Sequence, residues 1–279
     1  MGTLRNSQRM LLPALPRVIP NVLGNPSLLD REEVPEELQH AFHDGPRRGV
    51  GKFLANRHNS RFLALESWWR TPRQWDQLWH VVRPGPRPQP DLFIYRDTHI
   101  SLTPSLAFES LPEANVIHLY RDGRDVANSL VESYNALADE ALTEMTSIDV
   151  RLGRSHDHRR IPWWVEEGAE SEFLDASQFG RSIWFWAFVT ERCESYFSSL
   201  SERESDRLLN VRYEDFMRDP QLWGWRICDH LDKEPTAAFR RTLNQARTTA
   251  IGKHKQRPRE EIEEGTQIAG MMLEELGYR

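Results

Sequence analysis

The sequence predicts an α/β fold with a central parallel sheet, and three observations lead there. Val116-Ile117-His118-Leu119-Tyr120 is a mostly apolar run that passes through a charged turn, Arg121-Asp122-Gly123, into a segment able to open a helix. A second short apolar run, Asp91 to Tyr95, lies upstream with a helical segment between them and no hairpin signal, which is the pattern of a βαβ unit. Strands joined by a crossover helix pair in parallel. A third run, Leu208 to Arg212, comes after a long amphipathic segment and leads directly into Tyr213-Glu214-Asp215.

In chain order, residues 1 to about 30 read as a weak helix broken by Pro13, Pro16 and Pro20, and Glu32 to His43 as a helix stopped by Asp44-Gly45-Pro46. Trp68, Trp69, Trp75 and Trp79 sit in a helix-like segment, read as a helix packed on the core. Arg83 to Pro90 holds four prolines and reads as a loop. A helix is expected from Ser101–Pro104 to about Leu111, and another from the turn after Tyr120 to about Ala138. Residues 145–175 read as an irregular polar insertion or lid, anchored by Pro162-Trp163-Trp164. Gln178 to Leu200 is a strong aromatic amphipathic helix, open to two uses: core packing or lining an acceptor pocket. The helix around Leu222 to Leu231 precedes a helical tail, interrupted at Thr248 to Pro258 and resuming to Tyr278. The expected organisation is an N-terminal helical and loop region, 1–90, packed on a core at 91–279, together forming a single domain.

Composition narrows the function classes. The 279 residues allow one large α/β domain, and 39% hydrophobic with 28% charged is an ordinary soluble balance. Net charge is −6, which speaks against a general nucleic-acid binder. No apolar stretch approaches the roughly 20 residues that span a bilayer, and Met1 to Leu12 lacks a signal-peptide core. The two cysteines, Cys193 and Cys228, show no metal-ligand spacing, so a reducing cytoplasm is the expected compartment. No metal is expected; the one alternative, His156 and His158 in a loop with Asp157, has few supporting residues. The oligomeric state is left open.

The turn after Tyr120 concentrates the chemistry. A strand feeding a helix brings unpaired N–H groups and the positive end of the helix dipole to one point, which favours an anion. Arg121 leaves the strand there, and Ser129 lies about two helical turns on, a fork and a hydroxyl suited to a phosphate monoester. Asp122 has the alternative role of helix N-cap. His118, inside the strand, reads as a packed histidine, and Glu214 and Asp215 as capping or salt-bridging groups near Arg212.

Four features in order resemble the sulfotransferase family that uses 3′-phosphoadenosine 5′-phosphosulfate (PAPS), in particular its bacterial branch with the motif Arg-Asp-Gly-Arg-Asp-Val-Ala-x-Ser. They are Arg121 to Ser129; the turn Arg96-Asp97-Thr98-His99, similar to the family's Lys-Thr-His or Lys-Thr-Pro; Val211-Arg212-Tyr213-Glu214-Asp215-Phe216; and Ile251-Gly252-Lys253-His254-Lys255 with the ending Leu276-Gly277-Tyr278. The likeness covers roughly 91 to 279. It implies a three-layer sandwich around a parallel sheet, the P-loop-NTPase-like sulfotransferase fold. It also implies PAPS as co-substrate and a small-molecule or carbohydrate acceptor, with no nucleic acid and no membrane span. By the same resemblance Arg121 and Ser129 bind the 3′-phosphate, Gly252, Lys253 and Lys255 close over it, Tyr213 lies near the nucleotide, and His99 is the candidate base. Asp97 stands where the family carries lysine, with Arg96 adjacent.

The family's opening strand and Ser-Gly-Thr-type 5′-phosphosulfate loop has no counterpart before Arg121. Three readings are open: Met1-Gly2-Thr3-Leu4 is the tail of that loop in a chain that starts late; Gly45 to Lys52 substitutes for it; or the fold is kept without catalysis. The last is a nucleotide-binding or interaction protein. A kinase-like phosphotransferase is the second alternative, although no Walker A lysine or paired Mg²⁺ carboxylates are assignable.

Overall fold

Two parallel strands joined through helices form the centre of the described structure. The computed structural model describes residues 99–102, 104–110, 113–144 and 153–278. The helices expected before residue 90, the boundary there, the strand at 91–95, the Arg96-Asp97-Thr98 turn and both candidate phosphate loops lie outside the described residues. Contacts divide the chain into two units, Met1–Ile100 with Glu109–Leu111, and Ser101–Phe108 with Pro112–Arg279. The second unit holds both strands of the parallel sheet.

Helix α1 (Pro104–Ser110) precedes strand β1 (Val116–Tyr120), which runs into α2 (Gly123–Tyr134). Then come α3 (Asp139–Glu144), the strands β2 (Arg154–His156) and β3 (Arg159–Ile161), α4 (Glu170–Asp175), the long α5 (Gln178–Ser198) and α6 (Glu202–Ser205). Strand β4 (Leu208–Arg212) leads into α7 (Tyr213–Arg218), α8 (Pro220–His230), α9 (Ala237–Leu243) and α10 (Arg259–Glu275). Strands β1 and β4 pair in parallel, Val116 opposite Leu208 and Tyr120 opposite Arg212, so both strands end at one level. Mixed helices and a small parallel sheet make this an α/β fold, as the sequence predicts.

The sheet's alternation decides which residues face the helices. His118 and Tyr120 are half-buried, while Ile117 and Leu119 on the opposite face are exposed. Tyr120 packs with Ala127, Phe179, Ile183, Trp186, Ala269, Leu273 and Tyr278, the core made by α2, α5 and α10. His118 is a packed histidine as expected, stacked on Tyr120 and with its Nδ1 donating to Asn210 Oδ1 at 3.1 Å. Burial lowers its pKa below the ordinary imidazole value.

Two expectations are corrected. Helix α2 stops at Tyr134 rather than near Ala138, because Asn135 takes the left-handed conformation (φ 47°) and its N–H turns back to Leu130 and Val131. Residues 153–175 are not irregular. Asp157 and His158 both have positive φ, the backbone of a tight two-residue turn, and β2 pairs antiparallel with β3. Ile161, Trp164, Val165, Phe173 and Leu174 close a second core with Leu137 and Leu142. The Pro162-Trp163-Trp164 anchor is present there: Trp164 packs against Phe173, Phe185 and Phe188.

Arg181, buried on α5, ties this insertion down. It donates to the carbonyls of Phe173, Leu137 and Leu174 at 3.1, 3.0 and 2.7 Å and pairs with Asp139 at 2.9 Å. Of the two uses open to the aromatic helix, Trp186 serves packing: it lies against Gly123 at the start of α2. A Cβ on Gly123 would run into the Trp186 ring. Gly123→Ala is therefore expected to destabilise by about 1–3 kcal/mol, although helix propensity alone favours alanine. Thermal unfolding checks the sign.

Candidate anion-binding site

The site begins where β1 and β4 end together. Arg121 comes directly after β1, Tyr213 directly after β4, and the guanidinium of Arg121 lies over the Tyr213 ring at 4.7 Å. Arg121 Nη2 donates to the Ala250 carbonyl and lies 3.4 Å from Asp125 Oδ2. Its Nε is buried without a hydrogen-bond partner among the described residues. Parallel register thus brings Arg121, Tyr213 and the 250–255 segment to one end of the sheet. Ligands of open α/β sheets gather at the carboxyl ends of the strands.

The start of α2 is served from within the protein. Asp122 is the N-cap: its carboxylate accepts from the Arg124 N–H at 2.9 Å and from the Arg124 guanidinium at 3.0 and 2.8 Å. The Asp122 N–H donates to buried Glu214 at 3.1 Å. Glu214 also accepts from the Tyr278 hydroxyl at 2.9 Å, and Arg212 stacks on Tyr278 at 4.2 Å. Burial, with Glu214 beside it, pushes the Tyr278 phenol well above its ordinary value. Of the capping or salt-bridging roles expected for Glu214 near Arg212, the structure shows an ion pair with Arg212 at 3.6 Å, beside the bond from the Asp122 N–H 92 residues away. Asp215 pairs with Arg218 at 2.9 Å.

Opposite Arg121, the segment 250–255 folds back as a short loop. Gly252 has φ 74°, a left-handed conformation that suits glycine, and it opens the 3₁₀ turn Lys253–Gln256. Lys253 and Lys255 are exposed while His254 is buried. Ser129 is half-buried on α2, four residues after Asp125 and so on the same helix face. The structure therefore brings Arg121, Tyr213 and the Gly252 loop together, with Ser129 on the adjoining helix. His99 opens a 3₁₀ turn, His99–Leu102, and its side chain lies outside the described residues.

Sequence reasoning missed Asp125 and His254. Asp125, almost fully buried, accepts from the Gly252 N–H at 2.7 Å, the His254 N–H at 3.0 Å and the His254 ring at 2.8 Å. Burial alone would raise its pKa. The hydrogen bonds from His254 and Gly252, with the charge of Arg121, instead hold it well below the usual carboxylate range. The four-residue steps from Arg121 to Asp125 to Ser129 were the available signal. Arg257 was missed as well; it donates to Asn128 at 3.1 Å and to Glu261 at 2.6 Å, bracing the loop's exit.

Among the described residues no group of three or more His, Cys, Asp or Glu side chains is placed to hold a metal, and no helix is long and apolar enough to cross a membrane. An arginine fork, a tyrosine stacked beneath it and a glycine–lysine loop meet at the strand ends of this α/β fold. The chain belongs to the sulfotransferase family, whose model matches residues 13–236. That match includes the Arg121–Ser129 and Tyr213 segments and ends before Gly252. No curated protein and no solved structure matches the chain.

Proposed function

We propose that the chain, with residues 91–279 as its core, transfers a sulfuryl group from PAPS to a hydroxyl or amine of a small molecule or carbohydrate. The observation that carries this reading is Arg121: a strand-end guanidinium braced by Tyr213 and Ala250, with a buried Nε left without a partner among the described residues. A buried N–H left without an acceptor is costly unless a ligand supplies one. The residues fit a 3′-phosphate. Arg121 and Ser129 would hold it, Gly252, Lys253 and Lys255 would cover it, and Tyr213 would lie near the nucleotide. PAPS, when bound, supplies an activated sulfuryl group.

The chain's own residues then have the tasks of phosphoryl-like transfer: in-line positioning, charge neutralisation and removal of the acceptor's proton. On the sequence motif, His99 is the proposed base, taking that proton on a ring nitrogen near neutral pH. The proposed compartment is a reducing cytoplasm, in keeping with Cys193 and Cys228, both buried and unbridged.

Adenosine 3′,5′-bisphosphate, the donor's nucleotide product, is the first probe. At one hundred times its Kd it should stabilise the protein by about 2.7 kcal/mol and raise Tm by roughly 5–10 °C. ATP should do less. The reverse order would favour a phosphotransferase. Bisphosphate binding without transfer of labelled sulfate to any acceptor in a broad screen would favour the non-catalytic reading.

A further inference from the structure

Asp125 carries no part of the proposed chemistry, yet it is the most completely engaged carboxylate beside the site. Its four contacts are the Gly252 N–H, the His254 N–H, the His254 ring and Arg121. Three of the four come from a loop whose own sequence is short, basic and rich in 3₁₀ turn. Lys253 and Lys255 flank His254 and are exposed, so their charges repel one another; the turn's own backbone bond, from the Lys255 N–H to the Gly252 carbonyl at 3.2 Å, shapes the loop but does not tie it to α2. The buried carboxylate supplies the missing anchor: it fixes two backbone N–H groups on either side of Lys253. It does so from the first turn of α2, one turn beyond Arg121 and one turn before Ser129.

We infer that Asp125 is a positioning residue that locks the Gly252–Lys255 loop onto α2, so that the Arg121–Ser129 face and the lysine loop act as one preformed cradle selective for a 3′-phosphate. This rests on the nucleotide reading above. The physical reason is preorganisation: a loop already held in its binding conformation gives up little conformational freedom when the ligand arrives. Asp125 also neutralises part of the Arg121 charge in the free protein, leaving the cradle's remaining positive charge to the exposed Lys253 and Lys255 and so to the incoming anion.

Asp125→Asn tests the role with little change of volume. Asparagine offers one acceptor oxygen and an NH₂ donor, so a loop N–H then faces a donor instead of an acceptor. Two measurements on the full chain are needed. In amide hydrogen exchange, the Gly252 and His254 amides of the variant should exchange at least about tenfold faster, while α5 keeps its protection. In calorimetric titration, the variant should lose about tenfold or more of its affinity for adenosine 3′,5′-bisphosphate and none for adenosine 5′-monophosphate.

Equal losses for the two nucleotides point to general structural damage and overturn the role. So does unchanged amide protection, or full bisphosphate affinity with protection lost. If the wild-type protein itself does not prefer the bisphosphate, the nucleotide reading fails, and the exchange rates alone decide whether Asp125 locks the loop. Should D125N not fold, His254→Ala removes one donor from Asp125 and leaves both backbone bonds. It is then expected to show the same pattern at smaller amplitude, and an unchanged pattern overturns the role.

Discussion

Replacing Arg121 with alanine is expected to weaken binding of adenosine 3′,5′-bisphosphate by about 100-fold or more, with only a small loss of stability. The guanidinium is charged, mostly buried and already oriented, and a hydrogen bond to a charged group contributes about 1.5–3 kcal/mol. Two such bonds to one phosphate exceed a hundredfold in affinity. Alanine also gives up the stacking on Tyr213 and the bond to the Ala250 carbonyl, together about 1–2 kcal/mol of stability. Asp125 keeps its three donors from Gly252 and His254, so the loop should stay in place. Arg121→Lys keeps a point charge but not the planar fork, and should fall between the two. Titration calorimetry alongside thermal unfolding separates the effects; wild-type affinity in the alanine variant would remove Arg121 from the site.

The largest effect on stability is expected at Arg181, far from any proposed chemistry. Arg181→Met keeps much of the side-chain volume but leaves the carbonyls of Leu137, Phe173 and Leu174 without their donor inside the insertion. Buried polar groups left without a partner cost about 1–3 kcal/mol each. Partial relaxation should hold the total to about 3–5 kcal/mol, which is large beside typical single substitutions. Urea unfolding should show a lower midpoint with an unchanged m-value. Asp139 contributes less, since it is largely exposed and its pairing is screened. A change below 1 kcal/mol would mean that the second core, not Arg181, holds the insertion.

The parts of the fold legible from sequence are those set by short-range pattern. Val116–Tyr120 and Leu208–Arg212 are apolar runs closed by charged turns, and both are strands with those bounds. The period of Gln178 onward yields one long helix. The insertion is hard to read in sequence because its hairpin turns on Asp157-His158, which take positive φ without the glycine or asparagine that usually announces it. The end of helix α2 is hidden for a related reason: Asn135 stops it with a backbone conformation that apolar periodicity does not register.

The site divides in the same way. The sequence by itself determined that Arg121 leaves a strand into a helix, that a glycine sits among basic residues at 252–255, and which family these motifs resemble. Only the tertiary structure decided that the Asp122 carboxylate caps the helix start and that Glu214, 92 residues on, accepts from the Asp122 N–H. It also decided that Asp125 holds a loop 129 residues away. Propensity and periodicity act over a few residues. The partner of a buried carboxylate is chosen by the packing of distant elements and by the cost of leaving its charge unpaired.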